Sequence, residues 1–201
     1  FELEKISNTV HSILGITLGL LLVIRTNTAY DRWWEGRKAV GAMVNDSRNL
    51  AIKLHTLIPI EDIELRSRLA GIICSYAFAL KEHLREGVKF EELEDLDEDF
   101  VEELRHIYHV PNAIARRLYE RIQPLYTEGQ IDGFQLTILD KQMEDFTNIV
   151  GICERIKKSP MPLAYSMHLK LFIMVYVMTL PTGLFHELHY WTIPAVLVVF
   201  Y

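Results

Sequence analysis

Apolar and polar positions segregate strongly along this chain. Val10 to Ile24 carries no formal charge and reads as an apolar helix. Fifteen helical residues span roughly 22 Å, short of the ~30 Å hydrocarbon core of a bilayer. A full crossing would borrow Ile6 and Thr26 to Ala29, and the segment suits an inner helix shielded by neighbours. Tyr30 to Leu57 has helical spacing until Pro59 breaks it, and Ile60 to Leu84 predicts a further helix closing near Gly87. Glu91 to Glu103 is an acidic run, read as the solvated start of a helix. Pro111-Asn112 opens a helix through about Ile122 that Pro124 ends, and Gly129 marks a turn. Gln135 to Lys157 predicts another long helix, closed by Ser159-Pro160-Met161-Pro162. Leu163 to Leu184 is a second membrane candidate with Pro181 near its end. A polar link, His186-Glu187-Leu188-His189, leads to a third that begins around Tyr190. There is no strand pattern and no repeat. The expected class is an all-α membrane protein whose transmembrane helices continue into a cytoplasmic helical bundle. Residues 1–29 form the flank and first membrane helix, 30–160 the cytoplasmic region, and 161–201 two further membrane segments, the last truncated.

Charge sets the expected orientation. Arg25, Arg32, Arg37 and Lys38 follow the first segment, Arg155, Lys157 and Lys158 precede the second, and the link at 186–189 has neither lysine nor arginine. The positive-inside rule therefore puts residues 25–160 in the cytoplasm and 186–189 outside, where Tyr190 and Trp191 suit an interfacial aromatic belt. A net charge of -6 argues against a nucleic-acid partner, which calls for a basic stripe. Cys74 and Cys153 form no CxxC pair and read as reduced thiols packed in helices. Phe1 is not an initiator Met, no signal-peptide pattern follows it, and Tyr201 ends within an apolar run, so the sequence reads as trimmed at both ends.

Enzymatic and metal readings find little support. His186 and His189 are three residues apart, where the zinc-protease motif needs four. His106 and His109 offer a pair of ligands, but no third stands out. A calcium loop starting at Asp95 would need Gly and Glu where Phe100 and His106 stand. No metal, cofactor or catalytic residue is therefore assigned.

The first apolar segment is more informative. Ile16, Leu20 and Ile24 recur every four residues and form one stripe, and Gly15 and Gly19 form a small-xxx-small pair beside it. Such a helix can pack closely against copies of itself with the stripe facing an axis, where an aliphatic ring gates by dewetting. The same stripe can equally face lipid, with the glycines packing ordinary helices.

The block Arg25-Thr26-Asn27-Thr28-Ala29-Tyr30-Asp31-Arg32-Trp33-Trp34-Glu35-Gly36-Arg37 resembles the segment that follows the pore helix in bestrophins, in their bacterial branch. Gly151-Ile152-Cys153-Glu154-Arg155-Ile156 through Pro160-Met161-Pro162-Leu163-Ala164-Tyr165 is similar to the family's entry into a later membrane helix. Leu188-His189-Tyr190 is a weaker match. The resemblance implies a homopentameric ion channel of the plasma (inner) membrane. It implies a hydrophobic pore neck at Ile16, Leu20 and Ile24, wholly aliphatic where the family often has phenylalanine. It implies a cytosolic aperture at Phe134, where the family usually has a smaller aliphatic residue. Arg32, Trp33 and Trp34 would stabilise helices and subunit packing. The expected partners are small monovalent ions, the lipid bilayer and further copies of the chain. The family implies chloride and other anions, whereas an aliphatic neck has no sign of its own and the acidic balance would favour cations. A non-conducting membrane scaffold accounts for the helices equally well. A soluble helical protein does not fit the asymmetry of the basic flanks.

Overall fold

The structure, a computed structural model, describes residues 8–85, 87–93 and 96–200. Among these the order is α1 Asn8–Leu57, α2 Ile63–His83, α3 Glu98–Arg105, α4 Val110–Thr127, α5 Gly133–Lys158, α6 Leu163–Leu188 and α7 Thr192–Phe200, with short 3-10 turns at Phe90–Glu92 and His189–Trp191. No strand occurs among the described residues, in agreement with the all-α class. The chain divides into two compact units, Phe1–Trp33 with Pro160–Tyr201, and Trp34–Ser159.

Helix boundaries follow local chemistry. The apolar segment Val10 to Ile24 and the helical stretch Tyr30 to Leu57 form one helix of 50 residues, because nothing between Ile24 and Tyr30 breaks the backbone ladder. Asp62 caps α2 by accepting from the Leu65 amide at 3.3 Å. Asp132 and Gln135 form a reciprocal capping box, with bonds of 2.7 and 2.8 Å, and this starts α5 at Gly133, ahead of the expected Gln135. Gly129 leaves α4 with a φ of +73°, and the next amide, of Gln130, returns to the Leu125 carbonyl at 2.8 Å, a Schellman closure.

Two boundary expectations need correction. Pro124 lies inside α4 and does not end it; the helix runs on to Thr127. One proline removes one amide donor, and so near a C-terminus the remaining turn still closes through the Glu128 amide on the Pro124 carbonyl at 2.9 Å. Likewise α6 continues through Pro181 to Leu188, so the link expected at 186–189 shrinks to the turn that starts at His189, with a φ of +45°.

In the first unit, α1 packs on α6. The imidazole of His11 donates through Nε2 to the Thr179 carbonyl at 2.9 Å, and the Tyr165 hydroxyl donates to the Leu21 carbonyl at 3.1 Å. Gly183 admits the His11 ring, since a Cβ there would lie 3.2 Å from Nδ1. Windows within α1 and α6 have mean hydropathies of 1.6 and 1.5 and are each only 11% buried. The core helix of a water-soluble protein would be mostly buried, so these two helices are long and apolar enough to cross a membrane and present that surface outward.

The second unit has a conventional core. Leu50, Ala79, Leu104, Ile114, Ile122 and Leu139 are fully enclosed, drawn from α1, α2, α3, α4 and α5. Each such leucine or isoleucine contributes roughly 1.5–3 kcal/mol by leaving water. Tyr76 stacks edge-on against Phe146 with centroids 4.9 Å apart, and its hydroxyl donates to the Phe146 carbonyl at 2.9 Å. Of the two thiols expected to pack, Cys153 is buried and Cys74 is exposed, because Cys74 falls on the outer face of α2.

Candidate functional site

Ile16, Leu20 and Ile24 lie one turn apart on α1 and are 75%, 60% and 47% exposed. These are long aliphatic side chains on a charge-free stretch with most of their surface uncovered by their own chain. Within the first unit the helix turns a different face inward, where Leu18 is buried.

Gly15 and Gly19 have different surroundings. A Cβ on Gly15 would stand 2.9 Å from the hydroxyl of Tyr176 in α6, whereas one on Gly19 meets nothing within 4 Å. Gly15 thus serves packing inside the chain. We expect Gly15→Ala to lower stability by about 1 kcal/mol or more, through displacement of Tyr176. Gly19→Ala should match or exceed the parent, since alanine favours helix by about 1 kcal/mol. Thermal unfolding in detergent checks both, and a loss of assembly in Gly19→Ala alone would locate a neighbouring chain at that face.

Trp33 and Trp34 are 56% and 48% exposed, and Trp33 lies 5.7 Å from the ring of Tyr30. Arg32 is half-buried. In the second unit Glu35, which follows the two tryptophans, pairs with Arg155, so the two sequence blocks that resemble bestrophins are joined by an ion pair. Phe134, the second residue of α5, is 83% exposed and belongs to no core of the chain.

The acidic run is largely exposed and leads into α3, as expected for a solvated helix start, and part of it is also ion-paired. Glu92 accepts from Lys81 at 2.7 Å and Glu103 from Arg116 at 2.6 Å. Asp97, at the N-cap position of α3, accepts from Arg117 at 3.3 Å and Arg121 at 3.0 Å. Sequence separation hid these partners, which come from α2 for Lys81 and from α4 for the three arginines. Glu94 and Asp95 lie outside the described residues.

A polar cluster also went unseen in the sequence. His83 ends α2, His109 precedes α4, and Glu154 projects from the last third of α5. The Nε2 atoms of His83 and His109 lie 2.8 and 2.9 Å from the same Glu154 oxygen, Oε1, and Lys158 holds the other oxygen at 2.9 Å. Lys158 and the two imidazoles, in that company, hold the Glu154 carboxyl down at about 2. His106, read from the sequence beside His109 as a surface histidine, is exposed and faces Glu102. The only local signal was the i, i+4 spacing of Glu154 and Lys158, because His83 and His109 are remote in sequence from Glu154.

Comparison with known proteins places this architecture. The family model described as Bacterial/Fungal Bestrophin protein matches residues 2–201. A voltage-dependent anion channel-forming protein of Nostoc sp. is 40% identical over 186 residues, 90% of this chain and 60% of that protein. A protein of the same description from Synechocystis sp. is 36% identical over 182 residues, 89% of this chain and 59% of that protein. This chain therefore spans about 60% of the first relative's length. The crystal structure of a mutant bacterial Bestrophin homolog from Klebsiella pneumoniae superposes with a TM-score of 0.91 at 24% identity, covering 95% of this chain and 71% of that one. The chain belongs to the bestrophin family, in its bacterial and fungal group, and its all-α fold is the fold of that family.

Proposed function

We propose that the protein forms an anion channel of the bestrophin type, a passive path for chloride and similar small monovalent ions across a membrane. The observation that carries this reading is the aliphatic stripe of Ile16, Leu20 and Ile24, left exposed on a charge-free stretch of α1 in a chain that matches the family over residues 2–201. Five copies around an axis would close the stripe into a neck, and Phe134 would stand at a second, cytosolic constriction. Neither position carries catalytic chemistry; each would act by setting pore width and wetting. The protein would lie in the plasma membrane with residues about 25–160 on the cytoplasmic side, in keeping with the basic residues that flank the apolar helices.

The anion sign draws on the relatives named as anion channel-forming proteins. It also draws on the ion pairs along the acidic run. Glu92, Asp97 and Glu103 pair with Lys81, Arg117, Arg121 and Arg116, which offsets part of the field that a cation vestibule would need. The net charge of -6 favours the alternative of a cation channel on the same fold.

Reconstitution tests conduction itself. Chloride-loaded liposomes containing the purified protein should release chloride when a potassium ionophore supplies the counter-current. Release no faster than from empty liposomes, with the oligomer intact, would overturn the anion channel and leave the cation channel or a non-conducting scaffold.

A further inference from the structure

We propose that His83, His109 and Glu154 form a binding site for a divalent transition metal of the zinc type, which ties the end of α2 and the start of α4 to α5. Three donor atoms from three elements converge: the Nε2 atoms of both histidines and a carboxylate oxygen of Glu154, all within 4.8 Å of one another. Both imidazole nitrogens aim at one oxygen, Oε1, at 2.8 and 2.9 Å. Ligands about 2.0–2.2 Å from a tetrahedral zinc stand roughly 3.3–3.5 Å apart. Each of these two edges therefore has to open by only about half an ångström to admit an ion.

The surroundings support ligation. Lys158 donates to the other Glu154 oxygen at 2.9 Å, orienting the carboxylate while leaving Oε1 to the histidines. Lys157 fixes the backbone beside His83 by donating to its carbonyl at 3.2 Å. The side chains of His83, His109 and Glu154 are 19%, 26% and 19% exposed, so the site is sheltered yet open to an entering ion. Two imidazoles with one carboxylate select zinc, nickel or copper over the hard ions calcium and magnesium, which prefer oxygen alone. Solvent would complete the coordination.

The His109 tautomer makes one demand. Its Nδ1 accepts from the Asn112 amide at 3.3 Å, so in the metal-free protein the ring proton sits on Nε2. Ligation through Nε2 moves that proton to Nδ1, where it meets a donor. Metal binding should therefore release the long cap bond and loosen the first turn of α4, a signature that a hydrogen-bonded cluster without metal would lack.

The test uses the purified, chelator-stripped protein titrated with zinc chloride against a chromophoric chelator. One zinc per chain is expected to be lost or weakened by about 100-fold or more in His83→Gln and Glu154→Gln, and weakened by about tenfold in Lys158→Gln. Amide exchange at Asn112 should quicken when zinc is added. Cobalt(II) on the unsubstituted protein should give the intense visible absorption of a low-symmetry nitrogen–oxygen site, which requires no variant to fold. Zinc uptake that is absent, or equal in the parent and in folded His83→Gln, would overturn the proposal. So would a cobalt spectrum identical to the aqueous ion, and either result would leave the cluster as a hydrogen-bonded hub.

Discussion

Replacing Ile16, Leu20 and Ile24 together with alanine is expected to raise single-channel conductance about tenfold, an effect that requires a barrier change of only about 1.4 kcal/mol. Excluding water from one leucine-sized side chain is worth roughly 1.5–3 kcal/mol, and the proposed neck contains every copy of all three residues. The variant should still fold. These side chains are 75%, 60% and 47% exposed, and the contacts that hold α1 to α6 come from His11, Gly15 and Leu21 on other faces. Leu20→Ala alone should move conductance in the same direction by less. Single-channel recording of the reconstituted variant measures this, and parental conductance in an intact assembly would take the stripe out of the ion path.

Phe146→Ala should cost about 3–5 kcal/mol, the largest stability loss expected from a single substitution in the second unit. Phe146 is 2% exposed and forms an edge-on pair with Tyr76, whose hydroxyl also bonds to the Phe146 carbonyl. Truncation leaves a cavity and removes an aromatic contact worth about 0.5–1.5 kcal/mol beyond its area. The thermal midpoint should fall on the order of 10 °C. Phe134 lies on the same helix one end away and is 83% exposed. Phe134→Ala should leave the chain's own stability within about 0.5 kcal/mol. Its effect should instead be read in current or ion preference if the residue lines the proposed aperture. Differential scanning of the two variants side by side separates a core phenylalanine from one kept for another purpose.

Helices were the legible part of this sequence because their causes are local. Spacing of apolar residues, the breaker at Pro59, the turn at Gly129 and the Ser159–Pro162 stop all lie within a few residues of what they determine. Proline misled where its cost was small: Pro124 sits one turn from the end of α4 and Pro181 near the end of α6, and each helix absorbs the missing donor. The continuation of the first membrane helix beyond residues 25–28 was legible, since polar residues there change what faces the helix without interrupting it. Family membership was legible because Arg32-Trp33-Trp34 and the Gly151–Tyr165 block are specific strings. The surroundings of Glu154 and Asp97 were not legible, since their partners come from other helices and depend on how those helices pack. Whether Ile16, Leu20, Ile24 and Phe134 line a pore depends on further copies of the chain, a level of organisation that periodicity in one copy does not encode.

The reversal potential of the reconstituted protein in a planar bilayer under a sodium chloride gradient tests the central claim most directly. An anion channel predicts reversal close to the chloride equilibrium potential. Reversal close to the sodium equilibrium potential would contradict it.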